Sequence, residues 1–209
     1  MLSEGRFRGP CALSLAAALV GWSFVSPRLP TAWRVTLQAG VGALLVRVTR
    51  APLGLSPPRL RAGVRLGSAP GVAAASAIAA TTAVPLVRAA MAEREPPASV
   101  PGWLLLPIPD GTVWAEEAAF RAALASAGSR AFGRLGGRLL QAAAFGLSHI
   151  ADARATGEPV AATVLVTGVA GWVFGWLADR SGSLAAPMLA HLAINETGAI
   201  AALTVRRST

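Results

Sequence analysis

The stretch PVAATVLVTGVAGWVFGWLA, residues 159–178, sets 20 residues without a charge between Glu158 and Asp179. A hydrocarbon core about 30 Å thick takes about 20 apolar residues as a helix, so this stretch reads as a membrane span. Working outward, the same test finds GPCALSLAAALVGWSFVSP, residues 9–27, 19 uncharged residues between Arg8 and Arg28. Residues 66–87 are a further uncharged stretch, between Arg65 and Arg88. They are rich in Ala, Ser and Thr, which permit close helix packing in lipid. Residues 183–205 carry one charge, Glu196, and residues 29–48 are apolar around Arg34, which can snorkel to an interface. Residues 93–109 read as a loop, because Pro96, Pro97, Pro101, Pro107 and Pro109 forbid one regular helix. Asp110 and Thr112 then cap a fourth helix over 113–127, and a fifth covers 132–150. The expectation is an all-α, polytopic transmembrane helical bundle of about seven helices and seven spans. It forms a single integral membrane domain over 1–209, with less specific spans over 1–100.

Composition agrees with this reading. Of 209 residues, 54% are hydrophobic and 14% charged, against about a quarter charged in soluble domains. Mean hydropathy is +0.54. Such a chain is not disordered, and the balance argues against a soluble enzyme. The net charge is +9, and all 19 basic residues are Arg. They punctuate apolar runs and do not cluster with aromatics, so they read as orienting charges in a bilayer and not as a nucleic-acid surface. Arg47, Arg50, Arg59, Arg61 and Arg65 place the second-to-third loop in the cytoplasm, although Arg206 and Arg207 disagree with the outside C-terminus that seven spans would give. The single Cys11 allows no internal disulfide and no cysteine zinc site. Arg6, Arg8 and the apolar run after them resemble a secretory leader. No small-x-small site precedes Pro27, so the run reads as an uncleaved first span. Richness in Arg, Ala and Gly suggests a GC-rich bacterial genome, and hence a multi-pass protein of the bacterial inner membrane.

Polar groups inside such spans are functional candidates, since a buried charge costs about 2.5–3.5 kcal/mol or more. Three predicted helices each carry a polar pair or partner at i,i+4 spacing, which puts both members on one face. In EEAAFR, residues 116–121, Glu117 precedes Arg121 by four, the favourable order for an ion pair. Glu116 is left on a neighbouring face without a local cation. A carboxylate so placed in a poorly solvated site can exchange protons, as a general base must. The plainer alternative is a solvated first helical turn. In FGLSH, residues 145–149, His149 ends an apolar helix, where it can equally be held by a backbone carbonyl. In HLAIN, residues 191–195, His191 and Asn195 share a face inside the last span. Interhelical hydrogen bonding explains Asn195 alone better than the two together. A carboxylate, two imidazoles and a carboxamide converging in a bundle can activate a water and stabilise an oxyanion. They can also hold zinc.

These three motifs, in this order, resemble the CPBP family of intramembrane glutamate proteases, relatives of the type II CAAX prenyl endopeptidases and of Abi-type proteins. The family pattern is EExxxR, FxxxH and HxxxN on successive membrane helices, and SGSLAAPMLAH, residues 181–191, is similar to the approach to its third motif. The resemblance covers residues 110–205. It implies that Glu116 and His149 polarise the attacking water, with Glu116 as general base. His191 and Asn195 would donate to the oxyanion, Glu117 and Arg121 would hold the geometry as an ion pair, and Phe145 would be structural. It implies no cofactor, with zinc as the alternative. The expected function is an intramembrane endopeptidase acting on a membrane-associated peptide or protein. A proton-coupled transporter using the same residues as a relay, or a non-catalytic immunity or scaffold protein, are the competing expectations.

Overall fold

The computed structural model describes residues 8–93 and 97–208; Arg6 and Pro96 lie outside the described residues. Helix α1 (Arg8–Val25) ends at a 3-10 turn, Ser26–Arg28, that carries Pro27. Helix α2 (Thr31–Thr49) follows, then α3 (Arg59–Thr81), α4 (Pro85–Ala92) and the short α5 (Val100–Leu105). Two wide-turn segments, π1 (Pro107–Trp114) and π2 (Glu117–Leu124), run on into α6 (Ala125–Ser148). The chain closes with α7 (Ile150–Thr156), α8 (Val160–Ser181) and α9 (Ala185–Arg207). There is no strand among the described residues, and α1, α2, α3, α4, α6, α8 and α9 are the seven α-helices of eight residues or more. The fold is an all-α helical bundle.

The helix count agrees with the sequence, but the helices are not all spans. Among the described residues, three segments are long and apolar enough to cross a membrane: Arg8–Arg28, Val160–Ser181 and Ala185–Arg207. Helices α3 and α4 add a fourth if their 92° bend marks one broken span. The expected uninterrupted span over 66–87 is therefore corrected. Pro85 has no N–H to continue a helix, and Val84 before it is extended at φ −83, ψ 119, as a residue preceding proline prefers. The expected loop over 93–109 contains α5, capped by Ser99, whose Oγ accepts from the Gly102 amide at 3.2 Å. Asp110 and Thr112 lie inside π1 and not at a cap, because Pro107 begins the helix where a missing N–H is tolerated.

The break expected between the fourth and fifth helices is real and sits at Gly133, with φ 76 and ψ 170. Gly128 and Gly137 would be about 13 Å apart along a straight helix at 1.5 Å per residue. Instead, a Cβ added to Gly128 would lie 2.9 Å from the Gly137 Cα. The chain thus folds back on itself at Gly133, a left-handed position that only glycine adopts freely. This hairpin brings the EExxxR segment and the helix ending at His149 side by side.

Glycines set how closely the other helices approach. Gly63, Gly67 and Gly71, four apart on α3, face Ser183 and Ala185, then Ala186, then Ala190 and Ala193. On α8, Gly171 meets Phe145 and Gly175 meets Gln141. Without these side chains the backbones pack at distances that dispersion rewards in lipid, where no hydrophobic effect drives helices together. The burial pattern is inverted relative to a soluble protein. Leu165 and Val166 on α8 are 68% and 67% exposed, whereas Glu117, Arg121, Gln141 and His191 are buried. Apolar side chains face outward and the charges face inward, as a bilayer requires.

Gly67→Ala places a Cβ 2.8 Å from the Ala186 Cα, and overpacking of this kind costs about 1–3 kcal/mol. A lowered thermal midpoint in detergent is expected. Gly198→Ala, where nothing lies within 4 Å of the new Cβ, should leave the midpoint unchanged or raise it through helix propensity. Equal midpoints for the two variants would contradict the glycine seam.

Candidate active site

The site begins with an unusual backbone. Runs of i→i+5 bonding are rare and concentrate at functional positions, and π2 is eight residues of it. Its wider turn reduces the angular step between neighbours. Glu116, at its N-cap, and Glu117, its first residue, are thereby brought toward a common face. Gly42 on α2 lets this segment approach: a Cβ there would lie 3.2 Å from the Ala115 carbonyl.

Four of the six expected residues are joined by direct contacts. Glu117 Oε2 lies 3.3 Å from Arg121 Nε, and both side chains have no exposure. The other Glu117 oxygen accepts from His191 Nδ1 at 2.8 Å. On the far edge of the same ring, His191 Nε2 is 3.7 Å from Glu116 Oε2, and Glu116 is 30% exposed. The chain of contacts Arg121–Glu117–His191–Glu116 therefore leads from the fully buried interior to a solvated carboxylate. With Glu117 as acceptor, His191 Nδ1 carries a proton, and the orientation of the ring is fixed.

His149 is held differently. Its Nδ1 is 2.8 Å from the Phe145 carbonyl oxygen, which can only accept, so Nδ1–H donates and Nε2 is the free acceptor of the neutral ring. His149 and Glu116 line one cavity of about 920 Å³, with Trp22, Arg34, Trp103 and Ser148 among its other walls. That volume lies in the range of small-molecule and peptide clefts. His191 and Asn195 are not among the walls. His191 reaches the cavity through Glu116. Asn195 is one turn further along α9, and its Nδ2 is buried with no hydrogen-bond partner.

Aromatic rings fill the space around the charges. The Phe145 ring lies 3.7 Å from the Arg121 guanidinium carbon, a cation–π contact strengthened by desolvation. The same ring meets His149 edge-on at 4.7 Å and Phe120 at 5.3 Å between centroids. Phe174 of α8 stacks on His191 at 5.1 Å with planes 27° apart. Nothing in its neighbourhood singles out Phe174, one aromatic in an apolar span. Gln141 was also missed, although it lies four residues before Phe145 and eight before His149, on one face of α6. A polar side chain on that stripe was the available signal.

Residues 98–197 match the family model described as type II CAAX prenyl endopeptidase Rce1-like. The matched segment, 100 of the 209 residues, is similar to the CPBP/CAAX protease family. The match contains all three motifs, so the contacts above lie within the family's domain. No curated protein and no solved structure matches the chain. At the level of the family, the match supports peptide hydrolase activity on a protein or peptide substrate for this chain. Together with its outward apolar helices, this makes it an integral membrane protein. Among the described residues, no three His, Cys, Asp or Glu side chains are grouped to hold a metal ion. His191 Nδ1 is engaged by Glu117, and Glu117 faces a guanidinium. These donors form an ion-pair chain and do not fit a zinc cage, whose ligands must converge on one point.

Removing one partner of a buried ion pair costs about 3–5 kcal/mol, because the other charge is stranded. Arg121→Met is therefore expected to lower stability in detergent strongly, and the double variant Glu117→Gln/Arg121→Met to recover most of the loss. A double variant no more stable than Arg121→Met alone would show that Glu117 carries no stranded charge.

Proposed function

We propose that this protein is an intramembrane endopeptidase in which Glu116 and His149 activate the attacking water. The observation that carries the proposal is that these two side chains, 33 positions apart in the sequence, line one cavity. Each has a free acceptor there, one Glu116 oxygen and the His149 Nε2. A water held between them loses its proton to Glu116 as its oxygen attacks the scissile carbonyl carbon. The C=O π electrons move to oxygen, giving a tetrahedral oxyanion. His191, as an imidazolium with a second proton on Nε2, and Asn195 are assigned as donors to that oxyanion from behind the cavity wall, and the buried, unpartnered Asn195 Nδ2 leaves a donor for this role. As the tetrahedral centre collapses, the C–N bond breaks and the proton held by Glu116 passes to the departing amine.

Glu117 and Arg121 do not touch the substrate in this scheme. They hold the His191 ring by its Nδ1, which fixes the edge it turns to Glu116. The mechanism needs no metal or other cofactor. The substrate is a membrane-associated peptide or protein entering the 920 Å³ cavity. We place the protein in the inner membrane of a bacterium, on its arginine-only basic composition, as one membrane unit in which the N-terminal helices wall the motif-bearing core.

Purified protein in detergent should cleave a membrane-associated peptide. Glu116→Gln and His149→Ala should each lower kcat by about 10²–10⁴, the usual contribution of general acid–base groups, with unfolding midpoints unchanged. Undiminished cleavage by both variants would end this mechanism. Proton flux in proteoliposomes without a peptide product would favour a transporter instead.

A further inference from the structure

A second cavity lies on the other side of the ion pair. It has a volume of about 20 Å³, and its walls include Arg121, Ser129, Arg138, Gln141, Gly175 and Asp179. Arg121 lines it and does not line the larger cavity. At its outer end, Arg138 holds Asp179 through Nε and Nη2 at 3.0 and 2.7 Å.

Two fully buried polar side chains face this space with groups left over. The Gln141 Nε2 donates to the Gly171 carbonyl at 2.9 Å and to the Arg138 carbonyl at 3.1 Å. Both amide hydrogens are therefore in use, and the amide cannot be flipped without losing both bonds. Its Oε1 is buried with no partner. Arg121 Nη1 and Nη2 are likewise buried without partners. Donors of one group and an acceptor of the other thus line one small cavity. A water molecule satisfies both, since it accepts from the guanidinium and donates to the carboxamide oxygen. It needs only about 10–15 Å³ of such volume and two or more polar partners. A halide would meet the lone pairs of Gln141 Oε1.

We propose that this cavity is a one-water site and that Gln141 is a positioning residue of the active site. Through the water, Gln141 fixes the Arg121 guanidinium. Arg121 fixes Glu117, and Glu117 fixes the His191 ring. Gln141, Phe145 and His149 follow at intervals of four on α6. The helix that presents His149 to the substrate cavity thus also anchors the ion pair behind it. The water site stands on these contacts alone, whereas its effect on turnover rests on the proposed protease function.

A crystal structure of the wild-type protein is expected to show density within hydrogen-bond distance of an Arg121 Nη and Gln141 Oε1. Gly175→Ala sets a methyl into the cavity, 2.6 Å from Gln141 Nε2, and should abolish that density. An empty wild-type cavity overturns the water site. The positioning role is read without substrate from the ¹⁵N signals of the His191 ring. Gln141→Met, which keeps the side-chain length and loses the amide, should change them, and Gln141→Asn, which keeps the amide with room for a further water, should change them less. Identical ring signals in Gln141→Met and wild type overturn the role. In peptide cleavage, Gln141→Met should lower kcat about tenfold or more with little change in KM, the pattern of a lost transition-state contribution. Full kcat in that variant also overturns the role. Absence of cleavage by the wild type would instead count against the protease reading, leaving the density and ring signals to decide this one.

Discussion

The structure depends on an arginine that water cannot reach. Arg121 has no side-chain exposure, and its charge is met by Glu117 on the next turn and by the face of Phe145. Moving such a pair out of water is expensive, and the mutual attraction repays it only where the geometry is good and the remaining groups are satisfied. The surroundings supply part of this in layers and leave Arg121 Nη1 and Nη2 without protein partners. Glu117 uses its second oxygen for His191, Phe145 covers the guanidinium, and Phe174 lies behind the imidazole at stacking distance. The ion pair keeps its geometry because several helices supply those layers together. A shift of any one of them would leave a charge unpaired in a poorly solvated interior.

Small residues make that convergence sterically allowed. The π2 segment lies against α2 and α6, and α6 against α8, and the approaches of α2 and α8 pass over glycines. Gly42 faces Ala115, Gly171 faces Phe145, and Gly175 faces Gln141. The seam of Gly63, Gly67 and Gly71 draws α3 onto α9, the helix that carries His191 and Asn195. The high glycine content, 22 of 209 residues, lowers helix propensity position by position. It is tolerated because the helices it weakens gain close van der Waals contact in return, which in lipid is a main source of association.

Different parts of this arrangement were legible in the sequence to different degrees. The helices were visible because charge-free runs of span length have few other readings, and the Glu117–Arg121 pair because i,i+4 spacing is local geometry. The bend at Pro85 was open to prediction from proline chemistry but was masked by the unbroken run of uncharged residues around it. The contact of His191 with Glu117 lies 74 positions apart, and only the motif order hinted at it. Phe174 carried no distinguishing pattern of its own, and Gln141 only its place on the stripe of Phe145 and His149. Each acquires a role from what the fold sets opposite it, an imidazole for one and a guanidinium for the other. The wide π turns were illegible for a related reason. Their i→i+5 bonding is selected by tertiary packing, and the residues EAAFRAAL read as an ordinary α-helix.

The family match begins at residue 98, yet the substrate cavity does not. Leu19, Trp22, Arg34 and Gln38, from α1 and α2, line it opposite Glu116 and His149. Arg34 is half-buried and forms no ion pair among the described residues. Under the proposed function, the groups that break the bond and many of those that meet the substrate thus come from different parts of the chain. The reacting set is constrained by the buried charge, since a change at Glu117, Arg121 or His191 strands a partner. The α1 and α2 walls carry no such constraint. They can vary in shape and polarity without disturbing the ion pair, provided that Gly42 keeps its close approach to Ala115. In that reading, bond cleavage is set by the matched segment, and access to it is shared with the α1 and α2 walls.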